Sequence, residues 1–327
     1  MKNIAIIGSG SWGCALAIYL ANNGNNVKIW SFSEEECALI NSERKCKFLK
    51  DAIIPQNVEC FTNYKDVIEN SDVILHVTPS KVFRSIVKEY KKYVLNQPII
   101  ICSKGFESSS LITLSDVLKE ECTNAKLGIL SGPSHAEEVA VDMPTALVIA
   151  SEHEDVNNLI INIFKSPTMR MYSSNDIKGV EIGGALKNIL ALCAGIIKGL
   201  GFGDNTFAAL VTRGLVEISK LGVAMGGKKD TFYGLTGLGD LVLTCSSAHS
   251  RNRSAGILIG KGSTLKEARE KVGMVIEGID NIEIAYKLSE KYKVETPIID
   301  TVHSVLFNGL NARDAINKLM TRDLKSE

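Results

Sequence analysis

The chain has 327 residues, 45% hydrophobic and 23% charged, which gives room for two domains of ordinary size around substantial cores. Basic and acidic residues number 37 each, and that balance disfavours generic binding to nucleic acid or to an anionic membrane, both of which draw on a basic excess. Met1-Lys2-Asn3 is followed by too short an apolar run for a secretory signal, and runs such as Ile189 to Ile197 are too short to span a bilayer. The eight cysteines are scattered, with no C-x-x-C pair and no Cys/His metal spacing, and read as reduced thiols of a cytoplasmic protein.

Asn3 to Ile7 reads as a strand, Gly8-Ser9-Gly10-Ser11-Trp12-Gly13 as a glycine-rich turn, and Cys14 to Ala21 as a helix. In that context G-x-G-x-x-G signals dinucleotide binding, because Gly8, Gly10 and Gly13 permit a tight turn and let backbone N–H groups approach a pyrophosphate. Asn26 to Trp30 is a second strand, followed by Ser31-Phe32-Ser33 and then Glu34-Glu35-Glu36. The glutamates read as the first turn of a helix capped by Ser33, and this stretch leaves the choice between NAD and NADP open.

Further strands are expected at Val73–Val77, Pro98–Cys102, Lys126–Leu130, Ala146–Ala150 and Arg170–Tyr172, with helices at Ser80–Tyr93, Leu111–Glu121 and Glu152–Lys165. This alternation predicts an α/β fold with a parallel, doubly wound Rossmann-type sheet, in which ligands bind beyond the carboxyl ends of the strands. Three unusual loops fall at those ends: Thr78-Pro79-Ser80, Ser103-Lys104-Gly105 and Ser131-Gly132-Pro133-Ser134. Ser134-His135-Ala136-Glu137 fits a capping box, with Ser134 as N-cap and Glu137 at N3. Lys104, alone a solvated lysine, gains a candidate ligand role from its place between two strand-end loops.

From Asn175 helical periods take over, which puts a boundary near residue 178: a dinucleotide-binding domain over 1–178 and an all-helical substrate and catalytic domain over 179–327. Helices are expected at Lys178–Gly199, Asn205–Leu221, Ser263–Val272, Ile279–Tyr292 and Pro297–Phe307, the last opened by Thr296 with proline at N1. In the first of these Gly183, Gly184, Ala191 and Gly195 lie near the line of Lys187 and Asn188. That smooth face implies either a site or a very tight helix crossing, since each glycine costs about 1 kcal/mol against alanine. Asp240 is framed by glycines in Gly237-Leu238-Gly239-Asp240, in a loop or at a helix start where its plainer role is a cap, and Ser250-Arg251-Asn252-Arg253 is a dense donor cluster whose plainer reading is an exposed polar turn.

Carbonyl reduction needs a proton donor at the developing alkoxide, a role that suits a partly buried lysine such as Lys187. Arg251 and Asn252 offer forked donors to a phosphate dianion, and the lack of zinc-ligand spacing argues against a metal-assisted alcohol dehydrogenase.

The segments IGSGSWGCALA, CSKGFE, SGPSHAEEVA, GGALKNILALCAGI, GLGDLVLTC, SRNR and VIEG together resemble the NAD(P)-dependent sn-glycerol 3-phosphate dehydrogenases of the soluble bacterial type, in the family's order and over nearly the whole chain. The resemblance implies reversible reduction of dihydroxyacetone phosphate to sn-glycerol 3-phosphate with NADPH or NADH, supplying phospholipid synthesis. It implies Lys187 as proton donor and acceptor, with Lys104, Gly132 and Ser134 lining the site, and Asp240, Ser250, Arg251 and Asn252 holding the substrate and orienting Lys187, whose ammonium Asp240 keeps in place. Ser11, Trp12, Lys104, Ala136, Arg251, Val275 and Glu277 would touch the cofactor, the last two on the family's word alone. A homodimer is likewise a family-level expectation. Cys14 stands where many relatives have threonine, and Ser31-Phe32 where many carry a basic or imidazole side chain, which leaves Arg251 to supply part of any contact to a 2′-phosphate. The rivals are a dehydrogenase acting on a 3-hydroxy acid or ketopantoate, against which the Ser250-Arg251-Asn252 cluster argues, and a nucleotide-sensing binding protein without turnover.

Overall fold

The structure is a computed structural model and describes residues 1–49 and 51–323. It contains two compact units, Met1–Glu181 and Ile182–Glu327.

In the first unit an eight-stranded sheet grows from the buried run β1 (Asn3–Ile7), which leads through the glycine turn into α1 (Ser11–Asn22) and β2 (Asn26–Trp30). Then follow α2 (Glu34–Ala38), a π-helical turn at Leu39–Glu43, β3 (Val58–Phe61), α3 (Tyr64–Ile68), β4 (Val73–His76), α4 (Phe83–Tyr90) and β5 (Ile99–Ile101). A small hairpin of β6 (Phe106–Glu107) and β7 (Ile112–Thr113) precedes α5 (Leu114–Glu121). The unit closes with β8 (Leu127–Ser131), α6 (Ala136–Val139), β9 (Thr145–Ala150), α7 (Glu154–Phe164) and β10 (Met169–Ser174). The strand order is β10-β9-β8-β5-β4-β1-β2-β3. Central strands such as β4, β5 and β8 are buried along their whole length, the pattern of a sheet covered on both faces.

The Rossmann-type sheet is as expected, with two differences. Strand β3 and helix α3 were not anticipated; Val58-Glu59-Cys60-Phe61 alternates inward and outward but is only four residues long. The pairing is not parallel throughout, because β8 and β9 run antiparallel, with Leu130 opposite Ile149. Between them the only helix is the four-residue α6, which packs on α1, so the chain turns back instead of making the helical crossover that a parallel neighbour requires.

Helix α8 (Ile177–Gly199) starts at the end of the first unit and continues into the second. By length and composition it could cross a membrane, a property the shorter apolar runs did not suggest, but its most apolar window is wholly buried. The second unit continues with α9 (Asp204–Ala224), α10 (Lys229–Phe232), α11 (Asp240–Ser246), α12 (Arg251–Gly260), α13 (Leu265–Val272), α14 (Glu277–Tyr292), α15 (Pro297–Phe307) and α16 (Ala312–Met320). Short α10 and α16 went unanticipated, as did α12, which excludes the plainer reading of Ser250–Arg253 as an exposed polar turn, while α11 takes up the helix start that was one alternative for Asp240. Helix α13 opens on a Thr264/Glu267 capping box and stops at Gly273 in the left-handed region. At α15 Thr296 makes no side-chain cap. The buried Glu217 carboxylate takes the N–H groups of Ile298 and Ile299 instead, and burial pushes its pKa up to about 7.

Candidate active site

In the first unit the candidate residues gather at the carboxyl ends of the strands. Gly8 has φ +125° and its N–H donates to the carbonyl of Trp30 at 3.0 Å, which ties the turn after β1 to the end of β2. A Cβ on Gly13 would lie 2.0 Å from the carbonyl oxygen of Gly8, so only glycine lets α1 begin this close to the turn. Over Gly10, by contrast, a Cβ would meet nothing within 4 Å, and no side chain caps the twelve-residue α1. An open space above the first turn, with N–H groups of Ser11 and Trp12 not taken by a cap, fits a pyrophosphate.

The acidic residues after β2 do not all behave alike. Ser33 caps α2, accepting from Glu36 N at 3.3 Å, and Glu34 and Glu35 are exposed. The Glu36 side chain turns inward: its Oε2 lies 2.5 Å from Ser9 Oγ and 2.9 Å from Ser31 Oγ, and the two hydroxyls are 2.8 Å apart. Beneath them Cys37 and Cys60 bring their sulfurs to 2.8 Å, and all eight cysteines are free.

At the end of β4 the fully buried His76 bridges Tyr90 Oη (3.1 Å) and Thr78 Oγ1 (2.6 Å). Burial holds its pKa down to about 3, so the ring is neutral and serves the loop as a polar strut. Ser103 Oγ donates to Thr78 O at 2.6 Å, and Lys104 Nζ approaches Gly132 O at 3.4 Å. Gly132 has φ +143°, and Ser134 Oγ donates to its carbonyl at 3.2 Å. The capping box therefore does not form: α6 starts one residue later, with His135 as N-cap and no side-chain cap, because the Ser134 hydroxyl is turned back onto Gly132. Ala136, the first residue of α6, is buried.

In the second unit the structure brings Lys187 and Asp240 together across 53 residues of sequence: Nζ lies 2.7 Å from Oδ1, with side chains 8% and 2% exposed. Thr244, one turn along α11 from Asp240, completes a trio, 2.6 Å from Lys187 Nζ and 3.2 Å from Asp240 Oδ1. Sequence reading passed over Thr244, although its i, i+4 spacing from Asp240 was visible. Asp240 is set by the π-helical turn Leu235–Gly239, where a Cβ on Gly237 would lie 2.0 Å from the Phe232 carbonyl oxygen.

The smooth face of α8 turns out to be a helix crossing. A Cβ on Gly195 would come within 2.1 Å of Arg253 O, and one on Gly199 within 2.4 Å of Ile257 O. The partners answer in kind, Gly256 against Leu192 O at 2.1 Å and Gly260 against Ile196 O at 2.3 Å. Two glycine pairs with three residues between them, one on α8 and one on α12, thus interlock backbone to backbone. Gly183 meets the carbonyl oxygen of Thr236 in the same way, at 3.0 Å.

This crossing sets the start of α12. Ser250 is its N-cap, accepting from Arg253 N at 3.2 Å, and Arg251 stands exposed at the first helical position. Asn252 is buried. Its nitrogen donates to Asn188 Oδ1 at 2.9 Å and its oxygen accepts Gly278 N–H at 2.8 Å, so it stitches α8, α12 and α14 together and keeps one N–H for anything else. Val275 is 45% exposed just before α14, and Glu277 is that helix's first residue.

Comparison with known proteins follows the two units. A family profile described as the NAD-dependent glycerol-3-phosphate dehydrogenase N-terminus matches residues 3–157, and its C-terminal counterpart matches residues 176–317. The chain is 50% identical to a glycerol-3-phosphate dehydrogenase [NAD(P)+] of Fusobacterium nucleatum, over all of this chain and 99% of the relative. A Clostridium tetani protein of the same description is 47% identical over all of this chain and 94% of its own length. The crystal structure of glycerol-3-phosphate dehydrogenase from Coxiella burnetii superposes with a TM-score of 0.95 at 36% identity, covering 98% of this chain and 99% of that one.

Proposed function

The chain belongs to the NAD-dependent glycerol-3-phosphate dehydrogenase family, and from that premise we propose that it reduces dihydroxyacetone phosphate reversibly to sn-glycerol 3-phosphate, using NADH or NADPH. The observation that carries this reading is the buried Lys187–Asp240–Thr244 trio. When bound, the dinucleotide supplies or receives the hydride at C2. Lys187 gives its proton to the C2 oxygen and takes it back in the reverse direction. Asp240 and Thr244 both accept from its ammonium, which fixes where Nζ stands. Asp240 balances the ammonium charge, and the rigid start of α11 keeps the lysine from swinging away.

Arg251 and the N-terminal N–H groups of α12 suit the phosphate dianion, with Ser250 holding the turn and Asn252 offering its remaining N–H. In the first unit, which we take as the dinucleotide-binding domain, Gly8, Gly10, Ser11, Trp12 and Gly13 would cradle the pyrophosphate. Lys104, Gly132, Ser134 and Ala136 would line the strand ends, and Val275 and Glu277 would serve the cofactor from the helical, catalytic domain. The product is a glycerophospholipid precursor, and we assign the reaction to phospholipid synthesis in the cytoplasm by a homodimer.

The test follows reduced-nicotinamide absorbance with dihydroxyacetone phosphate, against unphosphorylated dihydroxyacetone and ketopantoate. Oxidation with the phosphate ester alone is expected; equal rates with ketopantoate would overturn the substrate assignment. Lys187→Met should lower kcat by at least about 100-fold. It also strands the buried Asp240 charge, at a cost of about 3–5 kcal/mol in stability. Lys187→Met/Asp240→Asn should restore much of the stability and none of the turnover, whereas near-normal turnover in either variant refutes the role given to Lys187.

A further inference from the structure

The inward turn of Glu36 bears on which dinucleotide the chain takes. The carboxylate is held by Ser9, the residue between Gly8 and Gly10, and by Ser31, the first residue past β2. Strands β1 and β2 are parallel neighbours, with Ile7 opposite Trp30, so the two serines leave the sheet side by side at its carboxyl edge. In a doubly wound sheet this is the crevice where the adenosine ribose lies, and an acid after the second strand there accepts the ribose hydroxyls. No acid stands at the strand end itself. Helix α2 instead runs outward for one turn from Ser33 and delivers the third glutamate of the run back to the crevice.

We propose that Glu36 reads the adenosine ribose and makes this chain select NADH over NADPH. The inference rests on the dinucleotide site assigned above and deepens it. Glu36 Oε2 takes the two serine hydroxyls, while among the described residues no hydrogen bond is made to Oε1, which leaves that oxygen to accept from a vicinal diol. A 2′-phosphate would bring a dianion against a carboxylate fixed at two points, and like charges at such range repel strongly.

Among the described residues, three cations on or shortly after β2 are engaged elsewhere. Arg44 donates to the carbonyls of Val58 at 2.8 Å and Pro55 at 3.4 Å, Lys45 pairs with Glu43 at 3.1 Å, and Lys28 donates to Asp66 O at 2.9 Å. The residue directly after Ser31 is Phe32, 80% exposed, which offers an adenine ring a face to stack on and no charge for a phosphate.

The experiment measures binding without substrate, by calorimetric titration of the full chain with NADH and with NADPH, and separately kcat/KM with each. NADH should bind roughly tenfold tighter or more. Glu36→Gln, which keeps the shape and the contacts to Ser9 and Ser31 while removing the charge, should close most of that gap by improving NADPH. Should Glu36→Ala melt early from loss of the serine contacts, Glu36→Gln still decides the matter. Equal or tighter binding of NADPH by the native chain, or an unchanged ratio in Glu36→Gln, overturns this inference and leaves the dehydrogenase reading standing. Failure to bind either dinucleotide overturns both.

Discussion

Replacing Gly195 by alanine would test the helix crossing on which the substrate side of the site depends. An ideal Cβ there sits 2.1 Å from Arg253 O and 2.8 Å from Gly256 Cα, where ordinary contacts are 3.4 Å or more. Both obstacles are backbone, so no side-chain rotation relieves them and α12 has to retreat by about 1 Å. Overpacking of this kind costs about 1–3 kcal/mol. Alanine returns up to about 1 kcal/mol through its better helix propensity, and the two effects leave a net loss above zero and up to about 2 kcal/mol. The displacement also loosens the 2.9 Å bond from Asn252 to Asn188 and shifts Arg251, while the Lys187–Asp240 pair joins α8 to α11, takes no residue of α12 and should stay intact. Urea unfolding should therefore show lower stability, and steady-state assays should show a raised KM for dihydroxyacetone phosphate with kcat largely kept. A Gly195→Ala chain as stable as the original, or more stable, would refute the argument, since it would mean that propensity outweighs the contact.

Three further outcomes follow from the geometry. Thr244→Val removes an acceptor from the Lys187 ammonium at nearly constant volume, and an unmet bond of that kind is worth about 1–3 kcal/mol, so kcat should fall roughly 10- to 100-fold with little change in KM. His76 stays neutral in the folded chain down to about pH 3, whereas the unfolded chain takes up its proton near the ordinary imidazole value of 6.5. The unfolded state thus binds more protons across that window, and stability is lost as pH falls from about 6.5 to about 3, by up to about 1.4 kcal/mol per pH unit. Denaturation series at several pH values should show a shallower dependence in His76→Gln, and an unchanged slope would count against the buried neutral ring. Arg251→Ala should chiefly raise KM for the phosphate ester and leave kcat and stability nearly as they were, since Arg251 is an exposed side chain at the first position of α12.

The parts of the molecule legible in the sequence are those whose signal is local. Buried apolar runs ending in glycine or serine marked most strands, and the glycine turn after β1 stood in the strand–turn–helix context that gives it meaning. Lys187 was visible because two kinds of information met on one helix, a charged residue and a row of glycines beside it. What the row was for could not be read locally, since its partners Gly256 and Gly260 lie some 60 residues away and the crossing exists only once α12 is a helix. The bond between Lys187 and Asp240 spans a similar distance and was expected from the family resemblance, not from any local signal. Ser134 misled because the capping pattern was present, yet a hydroxyl that can reach Gly132 O serves a tight loop better than a four-residue helix. Glu36 was placed correctly on the first turn of α2, but periodicity does not say that this one of three glutamates faces Ser9. Strand β3 was missed since four alternating residues compete with any loop of similar composition.

The strand order of the first unit also has a bearing on how a chain emerging from the ribosome could fold. Taken in order of synthesis, β2 pairs with β1, β3 with β2, β4 with β1, β5 with β4, β8 with β5, β9 with β8 and β10 with β9. Every strand of the large sheet after the first therefore finds its partner already made, and none has to wait for a segment still to come. Loop closure grows only slowly with length, so a docking site that exists in advance removes most of what makes parallel sheets slow to assemble. The growing sheet exposes one unpaired edge on each flank at any moment, and each new strand covers one of them, which limits the time that a sticky edge faces neighbouring chains.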